Sequence, residues 1–164
     1  MTPPIEPYVK INVDVAFDAS TGRASSGVVV RDSNNLVLGS CVLPTTNISS
    51  SFVAEALAAV QGLRFTLDLG CTHVVLESDS FTIISKLMSV EDDLSVLQPY
   101  ISYPKAVSQA FASCHFPFMP ISGNDVVHCL ARLGNDSDDN SFWVEKSLPK
   151  FPLWSERTVV ARTL

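Results

Sequence analysis

What this chain has little of narrows its reading first. Charged residues make up only 17% of its 164 positions, and acids outnumber bases 17 to 11, for a formal net charge of −6. That balance argues against a protein that coats nucleic acid through a broad basic field. It leaves open binding through metal ions or a local basic patch. The four cysteines, Cys41, Cys71, Cys114 and Cys129, form no CxxC pair. Neither a disulfide framework nor a zinc site is expected, and the scattered thiols read as reduced core residues of an intracellular protein. No apolar run approaches about 18 residues, the length that spans a bilayer, and Met1-Thr2-Pro3-Pro4 does not open a signal peptide. The expected location is the cytoplasm or nucleus, with no secretion and no membrane partner. Internal repeats, a glycine-rich phosphate loop, an HExxH zinc motif and a GxSxG nucleophile elbow are all missing.

Hydrophobic residues reach 46%, which predicts one domain able to bury roughly two thirds of its unfolded surface. The chain turns on Val74-Val75-Leu76-Glu77-Ser78-Asp79-Ser80. Its short apolar run reads as a strand buried on both faces, entered from a helix that stops at Gly70. Functional crevices in open α/β sheets lie off the carboxyl ends of such strands. Asp79 stands at that end, followed by Ser80, a good helix N-cap.

In chain order, residues 1–7 carry three prolines and read as an extended lead-in. From Tyr8 to Phe17 the sequence alternates. Val9, Ile11, Val13, Val15 and Phe17 share one strand face; Lys10, Asn12 and Asp14 share the other. Asp14 on that second face either meets water or belongs to a site. Turns at 18–22 and 32–35 separate further strands at about 26–31 and 36–43, an antiparallel meander. A helix follows from about Ser51 to Leu69, with an expected inner stripe of Val53, Leu57, Val60, Arg64 and Leu67. Glu55 lies on a different face with Ala59, Gly62 and Thr66, small enough for another element to pack close. Phe81–Met88 reads as a short helix, Glu91-Asp92-Asp93 as a solvated acidic helix start, and residues 94–113 as a helix irregular at Pro99 and Pro104. Cys114–Met119 is a last short strand held to a sheet edge by Pro117. A final helix at about 124–133 repeats Asn124, His128 and Arg132 along one polar side. Residues 135–164 form a tail with no assigned structure.

Five segments in this order resemble the ribonuclease H-like family, in particular the reverse-transcriptase-associated (non-LTR retroelement type) domains abundant in plant genomes. They are Val9-Lys10-Ile11-Asn12-Val13-Asp14, the strand from Ser26 to Ser33, Ala54-Glu55-Ala56-Leu57-Ala58, Glu77-Ser78-Asp79-Ser80, and Ser122–Arg132. The resemblance covers roughly residues 8–134. It implies an α/β fold with a mixed five-stranded sheet, three strands antiparallel and two parallel, and helices on both faces. It also implies an endonuclease that cuts the RNA strand of RNA–DNA hybrids, with Asp14, Glu55 and Asp79 as ligands for two Mg²⁺ or Mn²⁺ ions. Two such ions, about 4 Å apart, activate water and stabilise the leaving oxygen, and hard carboxylate oxygens suit them.

Where the family often carries a fourth acid this chain has His128, a donor better suited to Mn²⁺ than to Mg²⁺. It is retained as the fourth candidate catalytic residue. Val15 replaces a common glycine, and its branched side chain is expected to crowd an approaching substrate backbone. Lys10, Asn12, Asn124 and Arg132 are the candidates for contacting that backbone. The runner-up reading is a catalytically degenerate, domesticated domain that binds nucleic acid or a protein partner; a remnant without selected activity is the third.

Overall fold

The computed structural model describes residues 2–91, 95–120 and 124–145. Asp92 and Asp93, the expected helix start at Leu94, the approach Ile121-Ser122-Gly123 and residues 146–164 therefore lie outside the described residues. Six strands form one sheet: β1 (Val9–Asp18), β2 (Arg23–Arg31), β3 (Val37–Thr45), β4 (His73–Glu77), β5 (Ser113–His115) and β6 (Ser141–Val144), in the order β5-β4-β1-β2-β3-β6. β1, β2 and β3 form the antiparallel meander; β4 pairs parallel to β1, and β5 parallel to β4. The helices are α1 (Ser51–Asp68), α2 (Phe81–Met88), α3 (Gln98–Ser108) and α4 (Asp125–Leu133). None of the described helices is long and apolar enough to cross a membrane.

The alternation of β1 decides which helix covers which face. Ile11 and Val13 point at α1, where a Cβ placed on Gly62 would sit 2.5 Å from Val13 Cγ1. Only glycine permits that approach. The helix accordingly turns its small-residue side, Ala59, Gly62 and Thr66, to the sheet. The expected stripe is corrected here: Leu57 and Leu67 are half-buried and Arg64 is exposed, its guanidinium donating to the Tyr103 hydroxyl. Small side chains bring the helix axis closer to the sheet than a leucine ridge allows.

The opposite face of β1 is not open to water. Asp14 pairs in register with Gly27 of β2, and a Cβ on Gly27 would meet Val127 O at 2.6 Å and Ala131 N at 2.7 Å. The backbone of α4 therefore rests directly on β2 beside Asp14. Two other expectations need revision. Pro99 stands in the first turn of α3, the position that tolerates a missing N–H, so the helix begins at Gln98 and Ser113 already belongs to β5. Beyond residue 134 the chain adds a sixth strand to the expected five: β6 pairs with β3, and its fully buried Phe142 stacks on Phe65 with ring centroids 6.0 Å apart. Among the cysteines Cys41 is buried, but Cys129 is exposed on α4, and all four are free thiols.

Candidate active site

The three acids arrive from three elements. Asp14 lies in mid-β1, next to the parallel strand β4. Glu55 stands in the first turns of α1, whose start is fixed by Ser50: its hydroxyl accepts from Val53 N–H. Asp79 follows the carboxyl end of β4. There the chain turns into α2 because Ser80 Oγ accepts the Ile83 N–H as an N-cap.

Each carboxylate is held differently. Asp14 Oδ1 accepts the Val15 N–H at 2.8 Å, and Asp14 Oδ2 lies 2.7 Å from His128 Nδ1. The Asp14 side chain is 11% exposed, that of His128 55%. Glu55 Oε2 accepts from Ser80 Oγ at 2.7 Å. Sequence reasoning found Ser80 as a helix cap and missed this second role, because nothing in the local pattern ties it to a helix 25 positions earlier.

Electrostatics shows the acids to be neighbours. Burial pushes the Glu55 carboxyl above its ordinary range. The charges of Asp79 and Asp14 push it further, against the opposing Ser80 hydrogen bond. Asp79 is raised by burial and then by Asp14, with a backbone hydrogen bond and the His128 charge acting the other way. Two carboxyls raised in part by a third describe a cluster that repels itself. Among the described residues no three His, Cys, Asp or Glu side chains stand in metal-ligating geometry. The donor chemistry nevertheless fits a hard divalent cation: three oxygen donors whose mutual repulsion a positive charge relieves.

The expected backbone contacts fare less well. Lys10 is buried and paired with Glu77 Oε1 at 3.1 Å, with a further hydrogen bond to the Thr2 carbonyl. Asn12 is 2% exposed and donates to Glu77 Oε2 and to Met119 Sδ. Asn124 is 1% exposed and donates to the Val13 carbonyl. All three are buried and fasten β1 to β4 and to α4, with Asn12 Oδ1 and Asn124 Oδ1 left without a partner. Arg132 is exposed, one turn beyond His128. Val15 is also corrected: its half-buried side chain packs against the core cluster and does not line the acid site, because in a strand it points away from Asp14.

A sequence-family model of reverse transcriptase-like domains matches residues 12–134, which contain all three acids. The chain belongs to this reverse transcriptase-like, ribonuclease H-like family. No curated protein matches it. Among solved structures, it resembles the N-terminal RNase H domain of rv2228c from Mycobacterium tuberculosis, with a TM-score of 0.71 and 21% identity over 80% of this chain and 95% of that one. RNase H1 from Halobacterium salinarum gives a TM-score of 0.73 at 19% identity over 79% and 98%. LC11-RNase H1, solved in complex with an RNA/DNA hybrid, gives 0.63 at 21% over 74% and 92%. At such identities the likeness shows a shared fold: this domain has the ribonuclease H-like architecture.

Proposed function

We propose that this reverse transcriptase-like domain is a divalent-metal-dependent endoribonuclease acting on the RNA strand of RNA–DNA hybrids, with activity that favours Mn²⁺. The observation that carries the proposal is the gathering of Asp14, Glu55 and Asp79, two of them raised first by burial and then by the charge of their acidic neighbours. Structural frameworks rarely gather three carboxylates in one place, whereas a cation site requires them.

In this reading Asp14, Glu55 and Asp79 would hold the metal, whose chemistry when bound would be to activate water and to neutralise charge on the leaving oxygen. The chain's own residues do the positioning. The Val15 N–H fixes one Asp14 oxygen, and the Ser80 hydroxyl fixes Glu55 while capping α2. The Ser80 cap thereby ties the direction in which Asp79 leaves β4 to the setting of Glu55. His128 competes for Asp14 Oδ2, which lowers metal occupancy and explains a preference for the ion that tolerates a nitrogen neighbour. That same contact favours the second reading, a domain that keeps the groove for binding and has lost turnover.

The test is cleavage of an end-labelled RNA–DNA hybrid in Mg²⁺ and in Mn²⁺ by the wild type and Asp79→Asn. Metal-dependent cutting of the RNA strand that disappears in the variant supports the enzyme. Hybrid binding without cutting in either metal supports the second reading and overturns the first.

A further inference from the structure

Two large apolar side chains stand exposed in the segments next to Asp79. Phe81 is the first residue of α2 and 68% exposed; Phe118, in the segment after β5, is 47% exposed. Their rings meet edge to face, with centroids 5.7 Å apart and planes at 81°. Both are fixed at the base. Phe118 bridges Ser78, the residue before Asp79, and the next N–H, that of Met119, donates to the Ser78 carbonyl at 3.0 Å. Phe81 is set by the Ser80 cap, and α2 buries Ile83, Ile84 and Leu87 on its other side, so the Phe81 ring has no place in the core.

An edge-to-face pair satisfies one ring face and leaves broad π surface open. Such a surface suits a flat, aromatic ligand, and its position against the carboxylate site makes a nucleobase the fitting one. The charge of the chain strengthens this choice. A net charge of −6 argues against a broad basic field as the source of affinity, which favours a source that does not depend on basic residues. Base–aromatic stacking is such a source and is indifferent to sequence. Within an intact duplex each base is already stacked on its neighbours; an unpaired or splayed base presents a free face.

We infer that Phe81 and Phe118 form a stacking platform for an unpaired nucleobase beside the acid site, which directs the domain to hybrids with an unpaired RNA nucleotide or to single-stranded RNA. The inference rests on the reading of the acid site as a nucleic-acid site, but its test does not require cutting.

The experiment measures binding by fluorescence anisotropy in chelator, so that no cleavage occurs. The probes are a single-stranded RNA, a fully paired RNA–DNA hybrid of equal length, and the same hybrid with one unpaired RNA nucleotide replaced by 2-aminopurine. Wild type, Phe81→Ala/Phe118→Ala and Phe81→Leu/Phe118→Leu are compared across a salt series. The leucine variant keeps apolar area without a π face, and both positions are exposed, so circular dichroism should show native folding throughout. The platform predicts about tenfold or more preference for the unpaired probes, a 2-aminopurine fluorescence change on binding, and loss of both in the alanine and leucine variants with the salt slope unchanged. Equal affinity for paired and unpaired probes, or undiminished binding by both variants, overturns it. So does a double variant that loses only self-association or a protein contact, which would assign the pair to a protein interface. The two proposals fail separately: a stacking preference without metal-dependent cutting sinks the enzyme alone, and cutting without the preference sinks the platform alone.

Discussion

His128 Nδ1 lies 2.7 Å from Asp14 Oδ2, across the interface where α4 meets β1. In sequence the two are 114 positions apart, and the contact exists because Gly27, the register partner of Asp14, lets the α4 backbone sit on β2. One close approach thus places a nitrogen where the family often carries a fourth acid. The His128 charge acts against the upward shift of Asp79.

Those two carboxyls carry a pH signature. Their folded-state pKa values lie above the ordinary range, so the unfolded chain releases these protons first as pH rises. Their contribution favours the folded state below the ordinary carboxyl range. It is lost as pH rises through the raised values. Glu55→Gln and Asp79→Asn should therefore raise the melting temperature of the metal-free protein at pH 7, and the gain should shrink towards pH 4. Saturating Mn²⁺ should stabilise the wild type by about 2–3 kcal/mol at a hundredfold excess over Kd and leave Asp14→Asn unmoved. Thermal denaturation at several pH values, with and without metal, checks each outcome.

Ser80→Ala removes two interactions at once. Losing the N-cap of α2 should cost about 1 kcal/mol in urea unfolding. The bond that Ser80 donates holds the Glu55 carboxyl down, so its loss should raise the Glu55 pKa further, read by carboxyl NMR titration. An unchanged Glu55 titration would show the contact to be incidental.

Gly27→Ala tests the seating of α4. The added methyl meets backbone atoms that have no rotamer in which to give way, so the variant should lose about 1–3 kcal/mol. The His128 ring resonances should also move as the helix lifts from Asp14. Stability within error of the wild type, with His128 unshifted, would contradict the close approach.

Much of this fold was legible because periodicity and turn chemistry agreed. The alternation of β1, the Gly70 stop and the Ser80 cap each marked an element the structure contains, and the resemblance to ribonuclease H-like domains, not any local pattern, grouped Asp14, Glu55 and Asp79. What periodicity does not carry is the identity of the covering layer. Lys10, Asn12 and Asn124 read as a polar surface, yet all three are buried: the Lys10 ammonium pairs with Glu77 and the two Asn Nδ2 groups donate to Glu77, Met119 and the Val13 carbonyl, while Asn12 Oδ1 and Asn124 Oδ1 have no partner. Val15 misled for the same reason: the strand pleat, not the family comparison, decides where its side chain goes. β6 was missed because a four-residue strand offers only Phe142 as an inward signal, too short for alternation to register.

Phe142→Ala measures how far the domain extends past residue 134. A fully buried ring stacked on Phe65 should cost about 3–5 kcal/mol when truncated, read as a lowered urea midpoint. A loss below about 1 kcal/mol, the range of surface substitutions, would place β6 outside the cooperative fold.

The most direct test of the central claim is the initial rate of RNA-strand cleavage in Mg²⁺ and in Mn²⁺ for the wild type and His128→Asp, measured side by side. If Asp14, Glu55 and Asp79 form a metal site that His128 limits, the wild type cuts faster in Mn²⁺. The variant should then gain about tenfold or more in Mg²⁺, the scale on which one added ligand acts. A wild type that cuts in neither metal, or a variant no faster than wild type in Mg²⁺, would contradict the account.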